Sequence, residues 1–252
     1  GVAGQAKLVA VKSLSDRGSG STADAIDSSA YCAAMNFPIS NNSWGGGGYS
    51  KALKDVIQKA GDKGQLFCAA AGNSGSDNDR RPHYPSNYDC ANVISVAASD
   101  SKDKLAYFSC YGKTTVDIAA PGVNILNLLP NNRIGNLSGT SMATPHVAGA
   151  AALILSQNPS AGHQDMKNIL MNTVDPIAAF KGKMVAEGRL NLLKVVEATG
   201  SKWLSVSPSQ GSVGVGKEAR INVNVDATQL IAGQRKAIVA FSTNDPTAKT
   251  IE

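Results

Sequence analysis

The chain has 252 residues, of which 42% are hydrophobic and 17% charged, a composition that excludes a disordered, fibrous or coiled-coil protein. The formal net charge of +5 comes from scattered Lys and Arg side chains, so the sequence predicts no nucleic-acid partner. No apolar run reaches the roughly 18 residues of a membrane-spanning helix, and we therefore expect no membrane span.

Apolar runs and helical patterns alternate along the first four fifths of the chain. In one predicted helix Leu53, Ile57 and Ala60 recur at helical spacing, and Gly61 and Gly64 are expected to end it. The predicted strands are 7–14, 37–44, 65–72, 92–99 and 115–122, and the predicted helices are 22–36 with Ser21 as its N-cap, 49–64, 141–157, 162–173 and 189–199.

This alternation predicts an α/β fold with a doubly wound, mostly parallel sheet covered by helices on both faces. In such sheets the chemistry lies on loops at the carboxyl ends of the strands. The loops 15–21, 43–48 and 71–79 each follow a predicted strand, so we expect them on one rim of the sheet.

The pattern changes after Gly200, where apolar and polar residues alternate with period two. Such alternation predicts strands, so we expect a small all-β, sandwich-like module. Its length of about 50 residues is half that of a typical β-sandwich, and we expect the module to be truncated. The predicted domains are 1–200 and 201–252, and the alternating apolar positions are Ile221, Val223, Val225, Ala237, Val239 and Phe241.

Four cysteines fit two disulfides in an exported protein, and their spacing does not fit a zinc site. We therefore expect a secreted protein with two disulfides, and four buried free thiols are the alternative. Cys90 and Cys110 flank an apolar run and its return, and a hairpin-like path would bring them together. Cys32 and Cys68 would then remain for each other.

The segment GTSMATPHVAG at 139–149 places a serine and a histidine at the start of a predicted helix. Five residues apart on a helix, Ser141 and His146 point about 140° away from each other, so His146 is poorly placed as a base for Ser141. Ser141 is either the N-cap of this helix or a nucleophile at its tip, where unpaired N–H groups and the helix dipole stabilise negative charge.

Several segments together are similar to the motifs of the subtilisin-like serine proteases, the subtilases, in the family's order over residues 1 to about 199. GTSMATPHVAG resembles the segment of the nucleophilic serine, and AAAGNSG at 69–75 resembles that of the oxyanion-hole asparagine. NNSWGGGG at 41–48 and DRGSGS at 16–21 resemble the two substrate-binding edges, and DIAAPGVNI at 117–125 resembles the family's APG turn.

The resemblance implies a serine endopeptidase that acts on protein or peptide substrates and needs no cofactor for its chemistry. Ser141 would be the nucleophile, and Asn73 with the backbone N–H of Ser141 would hold the oxyanion. Small residues in the two pocket walls, 43–46 and 69–72, leave room for an apolar or aromatic substrate side chain, although Trp44 could narrow or floor the pocket. The implied substrate-binding residues are Gly18, Ser19, Gly20, Ser43, Trp44, Gly45, Gly46, Ala70, Ala71, Gly72 and Thr140.

The resemblance also implies a catalytic aspartate and histidine in segments that would precede residue 1, and neither motif is in this sequence. His83 and His163 are expected to be surface residues. We therefore expect an amino-terminal portion of the same protease as a separate chain or missing segment, and we expect this chain alone to be inactive. The alternatives are a catalytically inactive pseudoprotease or binding module, and an adhesive role of the β-module.

Calcium is a possible structural ion, because subtilases often bind it. Asp117 and the acidic segment SDND at 76–79 could supply oxygen ligands. A solvated acidic loop is the alternative interpretation of 76–79.

Overall fold

A computed structural model of the protein describes residues 1–199, 204–208, 210–213, 220–225, 241–242 and 250–251. The chain divides into two compact units, Gly1–Thr199 and Gly200–Glu252. Each unit is considered by itself.

A six-stranded sheet lies at the centre of the first unit. Its strands are β1 (Ile39–Asn42), β2 (Leu66–Ala70), β3 (Val93–Ser99), β4 (Ile118–Pro121), β7 (Asp175–Pro176) and β8 (Gly188–Arg189). They lie in the order β1-β2-β3-β4-β8-β7, and every pair is parallel except β7 with β8. The predicted mostly parallel sheet is therefore confirmed, and β1 to β4 fall within four of the predicted strands.

Helices cover both faces of this sheet. They are α1 (Thr22–Ala34), α2 (Lys51–Asp62), α3 (Thr140–Gln157), α4 (His163–Asn172) and α5 (Leu192–Thr199), with a short 3₁₀ turn at Ala178–Phe180. The all-buried strand β2 shows the two faces clearly: Leu66 and Cys68 pack in a cluster with residues of α3, whereas Phe67 and Ala69 pack with residues of α1 and α2. The doubly wound architecture predicted from the sequence is thus confirmed.

Local chemistry explains where the first two helices begin and end. The Ser21 hydroxyl accepts a hydrogen bond from the Asp24 N–H, and the Asp24 carboxylate accepts one from the Ser21 N–H, which completes a capping box. Helix α2 runs through Gly61, contrary to the prediction that Gly61 ends it. A side chain at Gly61 would come within 2.6 Å of Asn92, so this glycine serves close packing, and the chain turns at Gly64 with φ of +89°.

The strand predicted at 7–14 does not form. Strands need hydrogen-bonded neighbours, and no described residue pairs with this segment. Its apolar side chains point largely into solvent, with Leu8 94% and Val9 56% exposed. The neighbouring edge strand β1 pairs only with β2 among the described residues.

Sequence reasoning also missed a hairpin, which consists of β5 (Ile125–Leu129) and β6 (Arg133–Leu137) and forms its own two-stranded sheet. Leu126, Leu128 and Ile134 on this hairpin are more than two thirds exposed.

In the second unit the described strands are β9 (Leu204–Ser207), β10 (Asn222–Val225), β11 (Phe241–Ser242) and β12 (Thr250–Ile251). They pair antiparallel as β9 with β10 and β11 with β12. Of the alternating residues, Val223 and Val225 lie in β10, and Ile221 immediately precedes it. Ala237 and Val239 lie outside the described residues, and the sandwich remains a prediction.

The predicted disulfides are wrong, because all four cysteines are free thiols. Cys90 lies before β3 and Cys110 lies beyond its end, and seven residues of strand span about 23 Å, far more than the roughly 7 Å that a disulfide tolerates. The chain does turn back after β3, with an antiparallel bridge between Ser99 and Leu105. Cys110 then lies beside Gly72 at the carboxyl end of β2, whereas Cys90 lies at the amino end of β3, where its carbonyl accepts from the Val93 N–H. Cys68 faces α3, on the side of the sheet opposite to α1, which carries Cys32, and burial raises the pKa of the Cys68 thiol to about 12.

Candidate active site

The three loops predicted to share a rim line one cleft of about 550 Å³ at the carboxyl end of the sheet. Ten of the predicted substrate-binding residues line it together with Asn73 and Ser141. Ala71 is the exception: it is fully buried and packs with Ala97 and Cys110 under the cleft. The lining residues among those predicted are Gly18, Ser19, Gly20, Ser43, Trp44, Gly45, Gly46, Ala70, Gly72 and Thr140.

Ser141 lies in the first turn of α3 and does not cap it. The N-cap is Gly139, which makes no side-chain capping bond and whose N–H donates to the carbonyl of Gly122. The APG turn that follows β4 thereby fixes where the helix begins. The N–H of Ser141 is one of the first N–H groups of the helix, which have no acceptor within it and lie at the positive end of the dipole.

Ser43 and Ser141 are joined by two reciprocal hydrogen bonds. The Ser141 hydroxyl donates to the Ser43 carbonyl at 3.1 Å, and the Ser43 hydroxyl donates to the Ser141 carbonyl at 2.8 Å. The second bond has a local cause. Residue 145, four positions after Ser141, is a proline without an N–H, so the Ser141 carbonyl has no helical donor at i+4 and accepts from Ser43 instead.

The Asn73 side chain is held by Thr140. Its Oδ1 accepts from the Thr140 N–H at 2.8 Å and from the Thr140 hydroxyl at 3.0 Å, and the same hydroxyl accepts from the Gly72 N–H at 3.2 Å. These donors fix the orientation of the amide, because only an oxygen can accept both bonds. Nδ2 therefore points away from Thr140 with both of its protons available to a ligand.

None of the three histidines of the chain is the hydrogen-bond partner of the Ser141 hydroxyl, which donates to the Ser43 carbonyl. His146 Nδ1 donates to the carbonyl of Met142 at 2.9 Å, one turn back on its own helix, in agreement with the predicted geometry. His163 begins α4, and burial lowers its pKa. His83, expected to be a surface residue rather than a base, is half-buried and lines the cleft.

Trp44 does not floor the cleft alone. Its ring packs edge-on against Phe67 in the core, and its indole N–H donates to the Asn42 side chain at 3.2 Å. His83 occupies the position between the pocket walls that sequence reasoning left open for Trp44. One feature of the sequence pointed to this position: His83 follows soon after the pocket-wall segment 69–72. The segment RRPHYP at 80–85 does not indicate the direction in which the ring points.

Two of the acidic calcium candidates, Asp117 and Asp79, are already engaged by groups of the protein. Asp117 bonds to the Lys167 ammonium at 3.2 Å and accepts from the Ser95 N–H at 2.7 Å, so both oxygens already have partners. Asp79 accepts from Thr114 and Thr115. Within the part of the chain that the structure describes, no three His, Cys, Asp or Glu side chains converge on a metal position.

Comparison with known proteins identifies the fold and the motifs. Residues 1–219 match the model of the Subtilase family, Peptidase S8. Thermitase of Thermoactinomyces vulgaris is 39% identical over 197 residues, which cover 78% of this chain and 67% of thermitase. Subtilisin Savinase of Lederbergia lenta is 40% identical over 179 residues, 71% of this chain and 64% of that protein.

A solved protease structure from Pseudoalteromonas arctica superposes with a TM-score of 0.65 at 28% identity, over 72% of this chain and 60% of that one. The chain spans from 44% to 67% of the length of the curated relatives. No helix among the described residues is long and apolar enough to cross a membrane. Motifs, sheet topology and relatives agree, and the chain belongs to the subtilase family of serine proteases.

Proposed function

We propose that this chain carries the nucleophile and the oxyanion site of an endopeptidase that hydrolyses protein substrates outside the producing cell. The Ser141 hydroxyl attacks the peptide carbonyl carbon, and the new oxyanion accepts hydrogen bonds from Asn73 Nδ2 and the Ser141 N–H. The amine leaves with a proton, and water then releases the acyl group from Ser141. The observation that carries this proposal is the amide of Asn73, whose oxygen is fixed by Thr140 so that its N–H₂ group remains available.

The substrate backbone is proposed to lie between two edges of the cleft. Residues 18–20 form one edge and residues 43–46 the other, and both segments line the same cavity as Ser141. Extended peptides bind such edges by main-chain hydrogen bonds, which are independent of sequence. This arrangement supports an endopeptidase that accepts extended chains.

The general base is proposed to come from an aspartate and a histidine on a preceding segment or a second polypeptide. Two observations support this. The Ser141 hydroxyl donates to the Ser43 carbonyl, so its proton has no basic acceptor among the described residues. In addition, β1 has an edge without a partner among the described residues, and the side chains of Leu8 and Val9 are exposed, as they would be where a further strand is added.

A pseudoprotease or binding module is the second candidate. The Ser141–Ser43 hydrogen bond favours it, because a hydroxyl that donates to a carbonyl is a poor nucleophile. Such a module would use the cleft to bind peptides without cleaving them.

Labelling with a fluorophosphonate separates the two candidates. The chain is assembled with a polypeptide that carries the aspartate and histidine motifs, and the modified residue is located by mass spectrometry. We expect stoichiometric modification of Ser141, no modification of Ser141→Ala, and unchanged labelling of Ser156→Ala, which alters an exposed serine on the same helix. Absence of labelling in the assembled protein would overturn the protease proposal, and peptide binding without labelling would establish the pseudoprotease.

A further inference from the structure

The imidazole of His83 fills the space between the two walls of the substrate pocket. A Cβ placed on Gly45 would lie 2.2 Å from His83 Cε1 and 2.6 Å from Nε2, and a Cβ on Gly72 would lie 3.0 Å from Cδ2. The two opposite edges of one ring therefore contact two glycines that belong to different walls. At Gly45 a larger residue would collide with the ring, and at Gly72 it would be crowded by the ring and would have to adopt a φ of +109°, which favours glycine.

Hydrogen bonds fix which ring nitrogen carries the proton. The Ser86 hydroxyl donates its only proton to the His83 carbonyl at 2.8 Å. The same hydroxyl oxygen lies 3.2 Å from His83 Nδ1, so it acts there as the acceptor and Nδ1 carries the hydrogen. Nε2 of the neutral ring is then an acceptor with an unshared electron pair.

Nε2 is available to a ligand. It bonds to none of the described residues and is not among their fully buried polar atoms without partners, and His83 lines the cleft. Burial lowers the pKa of His83, which keeps the ring neutral near pH 7 and preserves Nε2 as an acceptor.

We propose that His83 determines which substrate residue precedes the cleaved bond (P1), because Nε2 accepts a hydrogen bond from the P1 side chain. The ring shortens the pocket, so the side chain selected is short and carries a donor, as in Asn or Thr, in preference to the apolar Leu or Val of the same shape. This inference rests on the proposed function of Ser141, and it replaces the expectation of an apolar or aromatic P1 residue.

The geometry also explains why the selectivity depends on one residue. The other polar side chains of the two walls already have partners within the protein. The Ser43 hydroxyl donates to the Ser141 carbonyl and accepts from Asn41, and the Trp44 indole N–H donates to Asn42. A P1 side chain without a donor leaves Nε2 unpaired when it fills the pocket, so the pocket discriminates against an apolar analogue.

The test compares kcat/KM for peptides that differ only at P1, using the assembled protease. For the isosteric pair Asn and Leu we expect the wild type to prefer Asn by roughly 3- to 10-fold, the range of one net hydrogen bond. His83→Leu should reverse or abolish this preference, whereas His83→Gln, whose side-chain oxygen can replace Nε2 as acceptor, should retain it. An Asn-to-Leu ratio that is the same in the wild type and His83→Leu would overturn the inference.

A second measurement does not depend on catalysis. In ¹⁵N-histidine spectra of this chain, with His83→Gln used for assignment, Nδ1 should appear protonated and Nε2 unprotonated, and the Nε2 resonance should move when a peptide ending in Asn is added but not one ending in Leu. The reverse tautomer, or equal responses to both peptides, contradicts the inference. If Ser141 reacts with the fluorophosphonate but neither the P1 preference nor the spectra are as expected, His83 does not select the P1 residue and the proposed function stands. If Ser141 does not react, the spectra still show whether His83 Nε2 binds the Asn side chain.

Discussion

The tip of α3 and the segment 1–14 differ sharply in whether their side chains have partners within this chain. At the tip of α3, two pairs of residues, Asn73 with Thr140 and Ser43 with Ser141, are linked by hydrogen bonds of 2.8 to 3.1 Å. In the segment 1–14, Leu8 is 94% exposed and no strand partner is present among the described residues. The proposed oxyanion side of the cleft is therefore held by hydrogen bonds within this chain, whereas no described residue accepts the Ser141 proton as a base.

Replacing Asn73 with Asp tests the tip of α3, and of the variants considered it should have the largest effect. Aspartate keeps an oxygen for the Thr140 N–H and hydroxyl, so the fold should be retained, but it removes the N–H donor of the oxyanion site. Loss of such a donor typically lowers kcat by about 100- to 1000-fold. Hydrolysis of a peptide substrate by the assembled protease measures the effect, and Asn132→Asp, at an exposed position outside the cleft lining, is a control for the charge change. An unchanged kcat would remove Asn73 from the oxyanion site.

Replacing Lys167 with Met tests the ion pair with Asp117 at the amino ends of β3 and β4, the end of the sheet away from the cleft. Lys167 neutralises the nearly buried Asp117 at 3.2 Å, and its removal leaves a carboxylate that has lost its charge partner and keeps the hydrogen bond from the Ser95 N–H. We expect the free energy of unfolding to fall by about 3 kcal/mol in a urea titration. The double variant Asp117→Asn with Lys167→Met should recover most of this loss. Equal destabilisation by the single and double variants would show that the ion pair is not the cause.

Lowering the pH tests a partly exposed cluster in the same unit. Hydrogen bonds from Lys194, Asn191 and Arg189 lower the pKa of Asp175 to about 2. An unfolded aspartate titrates near pH 4, so the stabilisation is complete above about pH 4 and is lost as the pH falls towards 2. Because solvent screens this carboxylate, we expect a contribution of about 1 kcal/mol.

Unfolding of the wild type and of Asp175→Asn, measured at about pH 6 and about pH 2.5, isolates this contribution. The difference between the two proteins should shrink at the lower pH. A difference that is independent of pH would contradict the assignment.

Replacing Leu8 with Ser tests the segment 1–14, and it should have the smallest effect on the stability of this chain. Because Leu8 is already in solvent, its replacement should change the free energy of unfolding of the chain by less than about 0.5 kcal/mol. The same variant should weaken association with the polypeptide that supplies the aspartate and histidine, whereas Val213→Ser, at an exposed position in the second unit, should not. Unchanged association would show that the segment 1–14 is not covered by that polypeptide.

The helices and the four parallel strands were predictable because local signals agree with the tertiary packing. Ser21 indicates the start of α1, where it forms a capping box with Asp24. The apolar run at 93–99 indicates a buried strand, and it forms β3, which is buried on both faces. The segment 7–14 shows the limit of such reasoning. An apolar run indicates a strand only if neighbours are available, and the run itself carries no information about them.

The site was predictable where a motif fixes a residue and unpredictable where direction matters. Asn73 and Ser141 follow from their segments, and the structure brings them to the same cleft. The disulfides failed because even numbers of cysteines say nothing about which face of the sheet each one occupies. The role of His83 depends on the direction of its ring and on its bond to Ser86, neither of which the sequence reveals.

The most direct test of the account is the structure of the assembled protease with a phosphonate bound covalently to Ser141. We predict that the phosphonyl oxygen lies about 2.7 to 3.1 Å from both Asn73 Nδ2 and the Ser141 N–H, with Asn73 Oδ1 still bonded to Thr140. A phosphonyl oxygen turned to solvent, or an Asn73 amide turned away from the adduct, would contradict the proposal that hydrogen bonds within this chain hold the oxyanion site.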